Sequence, residues 1–157
     1  LIHVDAGSGK GKIENIEFSN TTVVDSGKCL VYSRNTDFTS LRLADCTFSK
    51  LLGSGDYILD CDKNGNGPSQ GVTINNCIFG STLAEGKGIR ANDRPVEVIN
   101  SYITNDMKIT GNKINDLITY DGSETDLFKD PAQYDFTIID SSFAGKNNCG
   151  APKWYMK

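Results

Sequence analysis

The chain has 157 residues, with 16 Lys and Arg against 20 Asp and Glu and a net charge of −4. That length fits one domain, and the acidic balance argues against a nucleic-acid binder that works by neutralising phosphates. No apolar run approaches the roughly 18 residues of a membrane-spanning helix. Fifteen Asp, fourteen Asn and sixteen Gly favour turns and the left-handed backbone region over helix interiors, which is the composition of a turn-rich β protein.

In chain order, two short strand patterns alternate. Ile2–Asp5 (IHVD) is followed by Gly11–Phe18 (GKIENIEF), Val31–Arg34 (VYSR) by Leu41–Phe48 (LRLADCTF), and Leu59–Asp62 (LDCD) by Val72–Phe79 (VTINNCIF). Ile89–Asn92 (IRAN) is followed by Val96–Ile103 (VEVINSYI), and Ile118–Asp121 (ITYD) by Phe136–Phe143 (FTIIDSSF). The shorter pattern recurs at intervals of 29, 28, 30 and 29 residues. In the longer one the third position is aliphatic (Ile13, Leu43, Ile74, Val98, Ile138) and the fifth is Asn or Asp (Asn15, Asp45, Asn76, Asn100, Asp140). The eighth is large and apolar (Phe18, Phe48, Phe79, Ile103, Phe143).

Alternation at period two is the signature of strands, and an Asn or Asp that tolerates the left-handed region permits a sharp bend after each one. A unit repeating near every 30 residues, with no helical apolar face, predicts a solenoid. The expected fold is all-β: a right-handed parallel β-helix of about five coils, its hand following the rule for parallel crossovers. It fills residues 1–157 as one domain, with 144–157 as a tail that caps the stack by way of Trp154. The longer excursions are Asp62–Gly71, Gly80–Gly88, Thr104–Asp116 and Gly122–Tyr134. The start at Leu1 without a signal peptide reads as a fragment of a longer protein.

On this fold the outward row of the shorter pattern is His3, Tyr32, Asp60, Arg90 and Thr119. With strands ~4.8 Å apart, Tyr32, Asp60 and Arg90 form a strip suited to a sugar chain. Tyr32 would stack on a pyranose, and Arg90 would pair with a uronate carboxylate; an Asp60–Arg90 cross-strand ion pair is the plainer alternative. The other outward row is Lys12, Arg42, Thr73, Glu97 and Thr137. Cys46 and Cys77 share the sixth position, followed by Ser101 and Ser141. Cys61 lies in an inward row with Ser33, Ala91 and Tyr120, while Cys29 and Cys149 fall where either could be exposed. His3 is the single histidine and no C-x-x-C pair occurs, so a Cys/His zinc site is not supported.

Asp60–Gly67 (DCDKNGNG) resembles an oxygen-rich calcium loop but lacks the Glu at the twelfth position; a looser calcium site would use Asp60, Asp62 and Asn64. Arg90, Asp93 and Arg94 form a charged cluster in which Arg90 or Arg94 would serve a lyase, although Arg holds its proton tenaciously.

The repeats, together with the opening Leu1–Asp5, Tyr57–Asp62, Gly88–Asp93 and the ending Phe143–Gly145 with Gly150–Trp154, resemble the pectate-lyase-like right-handed β-helix superfamily. Within it the chain looks most like a domain family of unknown function found in secreted or outer-membrane lipoproteins of polysaccharide-degrading Gram-negative bacteria. The resemblance implies a secreted or cell-surface setting, lipid-anchored in the full-length protein, with polysaccharide and either flanking domains or surface glycan-uptake proteins as partners. It carries over no catalytic residue, since the clustered acids of a lyase or hydrolase are absent from the matching rows. The expected function is a non-catalytic polysaccharide-binding module with no cofactor. The alternatives are a calcium-dependent uronate lyase and a structural stalk.

Overall fold

The chain returns to the same sheet once per circuit. The computed structural model describes residues 1–5, 13–63 and 67–156, with the backbone alone at 62 and 63. The first sheet holds β1 (Ile2–Asp5), β4 (Val31–Arg34), β7 (Tyr57–Lys63), β10 (Gly86–Arg90) and β13 (Ile109–Gly111) in that spatial order. The second holds β2 (Asn15–Ser19), β5 (Ser40–Ala44), β8 (Val72–Asn75) and β11 (Val96–Ile99). The third holds β3 (Thr22–Val24), β6 (Thr47–Ser49), β9 (Ile78–Phe79), β12 (Tyr102–Thr104) and β14 (Ile118–Tyr120). Every pairing within these three sheets is parallel. The protein is therefore all-β, built of parallel strands in stacked sheets.

Register places like residues over like. Ile16, Leu41, Val72 and Val96 form one interior row, and Phe18, Leu43, Ile74 and Val98 the next. Val23, Phe48, Phe79 and Ile103 form a third, in which the rings of Phe48 and Phe79 stack with centroids 4.9 Å apart. Both rings are fully buried, and each such burial contributes roughly 2–3 kcal/mol.

The bend between the second and third sheets falls on Asn20, Asp45, Asn76 and Asn100, with φ of 51°, 53°, 52° and 44°. Their side chains are linked: Asn76 Nδ2 donates to Asp45 Oδ1 at 3.0 Å and Asn100 Nδ2 to Asn76 Oδ1 at 2.8 Å. The next residue in each circuit, Thr21, Cys46, Cys77 or Ser101, donates its hydroxyl or thiol to the carbonyl two positions back.

The first longer pattern is shifted from the expected alignment. Ile16 and Phe18 face Leu41 and Leu43, so Asn20 takes the bend and Asn15 lies within a strand. Both windows fit the same residue pattern, but only this one buries Ile16 and Val23 and leaves Ile13 exposed. Lys12, expected in the second outward row, lies outside the described residues; Glu17 faces Arg42 there, 2.6 Å from its Nη1.

The expected fifth unit is also corrected. Ile118–Tyr120 pairs with β12 in the third sheet, so Thr119 and Tyr120 leave the rows assigned to them. The fifth strand of the first sheet is β13, inside the segment read as a loop. Phe136–Phe143 is no circuit at all. Following a one-turn helix, α1 (Glu124–Leu127), β15 (Phe128–Asp130) pairs antiparallel with β16 (Asp135–Ile138), which removes Thr137 from the second outward row. Any half-buried strand followed by an Asx turn has this composition: Asp140 turns the chain by accepting from Ser142 N at 2.8 Å, and Ser141 is exposed.

This C-terminal segment makes a second core on the outer side of the third sheet. Leu127, Phe128, Phe136, Ile138 and Phe143 pack with Ile78 and Tyr102. The tail then runs along the flank rather than closing an end. Cys149 Sγ donates to Asn100 O at 2.9 Å, Gly150 N to Asn76 O at 2.8 Å and Ala151 N to Thr47 Oγ1 at 3.0 Å. Trp154 Nε1 reaches Thr22 Oγ1 at 2.7 Å. Gly150 has φ of 79°, and a Cβ there would lie 2.7 Å from Thr47 Oγ1, so only glycine passes this point without strain. Cys149, one of the two cysteines placed where they could be exposed, is fully buried by this course.

Candidate functional site

The first sheet brings together the row read from the sequence. His3 pairs with Tyr32, Tyr32 with Asp60, and Asp60 with Arg90 across β1, β4, β7 and β10. The rings of His3 and Tyr32 lie 4.9 Å apart at 45°. Arg90 donates through Nε and Nη2 to the same oxygen, Asp60 Oδ1, at 3.0 and 2.7 Å. The pair is partly sheltered, with 15% of the Asp60 side chain and 33% of the Arg90 side chain exposed, so it is screened less than an open surface pair.

Tyr57 completes the arrangement. The Arg90 guanidinium sits 4.6 Å from its ring centroid and Lys87 Nζ 5.0 Å from it, a cation–π geometry that holds both cations over the aromatic ring. Tyr57 opens β7 at a corner where Ile58 and Leu59 are both buried. The period-two reading that found Asp60 therefore could not find Tyr57; its two neighbours one coil on, Lys87 and Arg90, were the available signal.

An open groove of about 480 Å³ runs over this face, lined by His3, Tyr32, Tyr57, Asp56, Asp60, Lys28 and Cys29 among others. Lys28 Nζ lies 3.6 Å from Asp56 Oδ1. Burial pushes the Cys29 thiol above its ordinary range, which disfavours the thiolate. Arg94 is exposed and lines a separate, smaller pocket of about 220 Å³ with Arg90, Asn92 and Asn112. The structure thus joins Tyr32, Asp60 and Arg90 in one row; Tyr32 and Asp60 line the groove, whereas Arg90 lines the neighbouring pocket with Arg94.

Residues 12–154 match the pattern of the family described as Domain of unknown function (DUF5123). The chain belongs to the DUF5123 family. No curated protein matches it, and no solved structure does.

In this DUF5123 domain the expected calcium set is only partly in view: the Asp62 side chain and Asn64 lie outside the described residues. Asp60 Oδ1 is taken by the Arg90 guanidinium. Among the described residues, no group of three or more His, Cys, Asp or Glu side chains converges as metal ligands would. Arg90 is likewise unsuited to be a base, because an arginine guanidinium holds its proton tenaciously. Cys46, Cys61 and Cys77 are fully buried, and no helix among the described residues is long and apolar enough to cross a membrane.

Proposed function

We propose that this DUF5123 domain is a right-handed parallel β-helix whose outward first-sheet face binds polysaccharide without cleaving it. The three parallel sheets visited in turn, with a repeat near 30 residues, support the helix, and the rule for parallel crossovers supports its hand. The observation that carries the function is a single open groove lined by Tyr32, Tyr57 and His3 beside Asp56 and Asp60. Aromatic rings offer an apolar face to a pyranose, and the adjacent polar groups orient its hydroxyls. Secretion or surface display belongs to the same proposal and rests on the resemblance stated above.

The test is native electrophoresis through gels cast with a panel of polysaccharides, followed by staining for residual polymer. The expected result is retardation without clearing, lost in Tyr32→Ala and Tyr57→Ala. A cleared zone abolished by chelator would replace the binding module with a lyase. Free migration on every gel would favour the stalk.

A further inference from the structure

We infer that the groove takes an uncharged glycan rather than a uronate-rich one, an inference that rests on the glycan-binding reading above. The sequence offered Arg90 as a partner for a uronate carboxylate, but the structure commits that guanidinium elsewhere. Two of its nitrogens donate to Asp60 Oδ1 and its plane lies over Tyr57. Lys87 is held over the same ring, and Lys28 faces Asp56. The charged side chains that line the groove itself are Lys28, Asp56 and Asp60, so acids outnumber bases there.

A uronate entering this groove would meet like charge at Asp56 and Asp60, and to gain a cation it would have to break a pair already formed. That trade returns little, since one charge-assisted contact replaces another while a carboxylate is left behind. An uncharged pyranose meets no such cost. Its hydroxyls donate to a carboxylate, and Asp60 Oδ2 accepts no hydrogen bond from the described residues, because the two Arg90 donors that reach Asp60 fall on Oδ1. Tyr32 and Tyr57 supply apolar surface for the ring faces whatever the sugar's charge.

The experiment compares retention of the whole chain in gels cast with galactomannan or mixed-linkage β-glucan against polygalacturonate or alginate. It is run at pH about 8, above the imidazole range, at low and high salt. The expected result is binding to at least one neutral polymer about tenfold tighter than to either polyuronate, with little salt dependence. Asp60→Asn removes one carboxylate charge from the groove and one charged partner of Arg90, so it should weaken neutral-polymer retention and strengthen polyuronate retention; a merely structural defect would not raise the latter. Wild-type retention on polyuronates equal to or above that on neutral polymers, and weakened by salt, would overturn the uncharged-glycan inference while leaving glycan binding intact. Free migration through all four polymers would overturn both.

Discussion

Trp154 donates its indole N–H to Thr22 Oγ1 at 2.7 Å across 132 positions of chain. It is the chain's one tryptophan, and its ring also meets Phe136 edge-on at 5.9 Å. The end of the tail is thereby fixed to the first strand of the third sheet. Thr22→Val removes the acceptor and leaves a partly buried donor unpaired, which should cost about 1–2 kcal/mol. Trp154→Ala also removes the ring packing and should cost about 2–4 kcal/mol. Urea unfolding, read by tryptophan fluorescence for the first variant and by circular dichroism for the second, checks both. An unmoved midpoint in Trp154→Ala would mean that the tail contributes nothing to stability.

At Asn76 two demands coincide: a left-handed backbone and side-chain bonds to Asp45 and Asn100. Asn76→Gly keeps the backbone freedom and loses the bonds, a cost of about 1–2 kcal/mol. Asn76→Ala loses the bonds and adds about 1–2 kcal/mol of left-handed strain. Equilibrium denaturation should therefore rank the wild type above Gly and Gly above Ala. Ala equal to or better than Gly would show that the bend does not require the left-handed conformation.

Glu124 is a buried acid that anchors the C-terminal segment. Its Oε2 accepts from Ser49 Oγ at 2.8 Å and from Ser81 N at 2.9 Å. Glu124→Gln keeps one carbonyl acceptor and should cost within about 1 kcal/mol, whereas Glu124→Ala strands two donors and should cost about 2–4 kcal/mol. The thermal midpoints of the two variants separate these outcomes, and equal losses would argue for the charge rather than the acceptor.

Stability should fall at both ends of the pH scale. Bonds from Thr137, then Lys129, hold Asp135 down to about 2. Asp140 is lowered by Ser142 and Tyr120, and Asp126 by Ser123. A depressed carboxylate contributes stability above its unfolded value near 3.8 and loses it as pH drops toward 2. Cys149 is pushed up to about 12 by burial, and Cys77 is raised by the neighbouring Cys46 thiol and by burial. Those thiols contribute fully below their ordinary value of 9.0 and progressively less above it. Urea midpoints against pH should plateau between about 4 and 9. In the folded protein a thiol reagent should reach only Cys29, since the other four cysteines are buried; fast labelling of two or more would contradict the burial of the Cys46–Cys77 row and the tail.

Much of this was legible because stacked rows repeat their chemistry. The alternation in VYSR and LRLADCTF marked strands correctly, and the same alternation put His3, Tyr32, Asp60 and Arg90 in one line. What was not legible depends on contacts that local pattern does not encode. Asn15 and Asn20 fit the bend equally well until burial of Ile16 and Val23 chooses between them. FTIIDSSF has the composition of a circuit but pairs antiparallel, because the residues it covers lie on the outer side of the third sheet. Tyr57 escaped because two successive buried residues, Ile58 and Leu59, separate it from Asp60, and Cys149 because its cover is supplied by distant segments.

In a stacked repeat each layer touches only its neighbours, so stability is a sum of local terms and the ends fray first. The tail changes that arithmetic here. Residues 149, 150, 151 and 154 bond to the fourth, third, second and first circuits in turn, closing a chain of neighbour contacts into a loop. The first circuit cannot peel away without releasing the last residues of the domain. A ladder of semi-independent layers thereby becomes one cooperative unit, complete only after its C-terminal segment has left the ribosome.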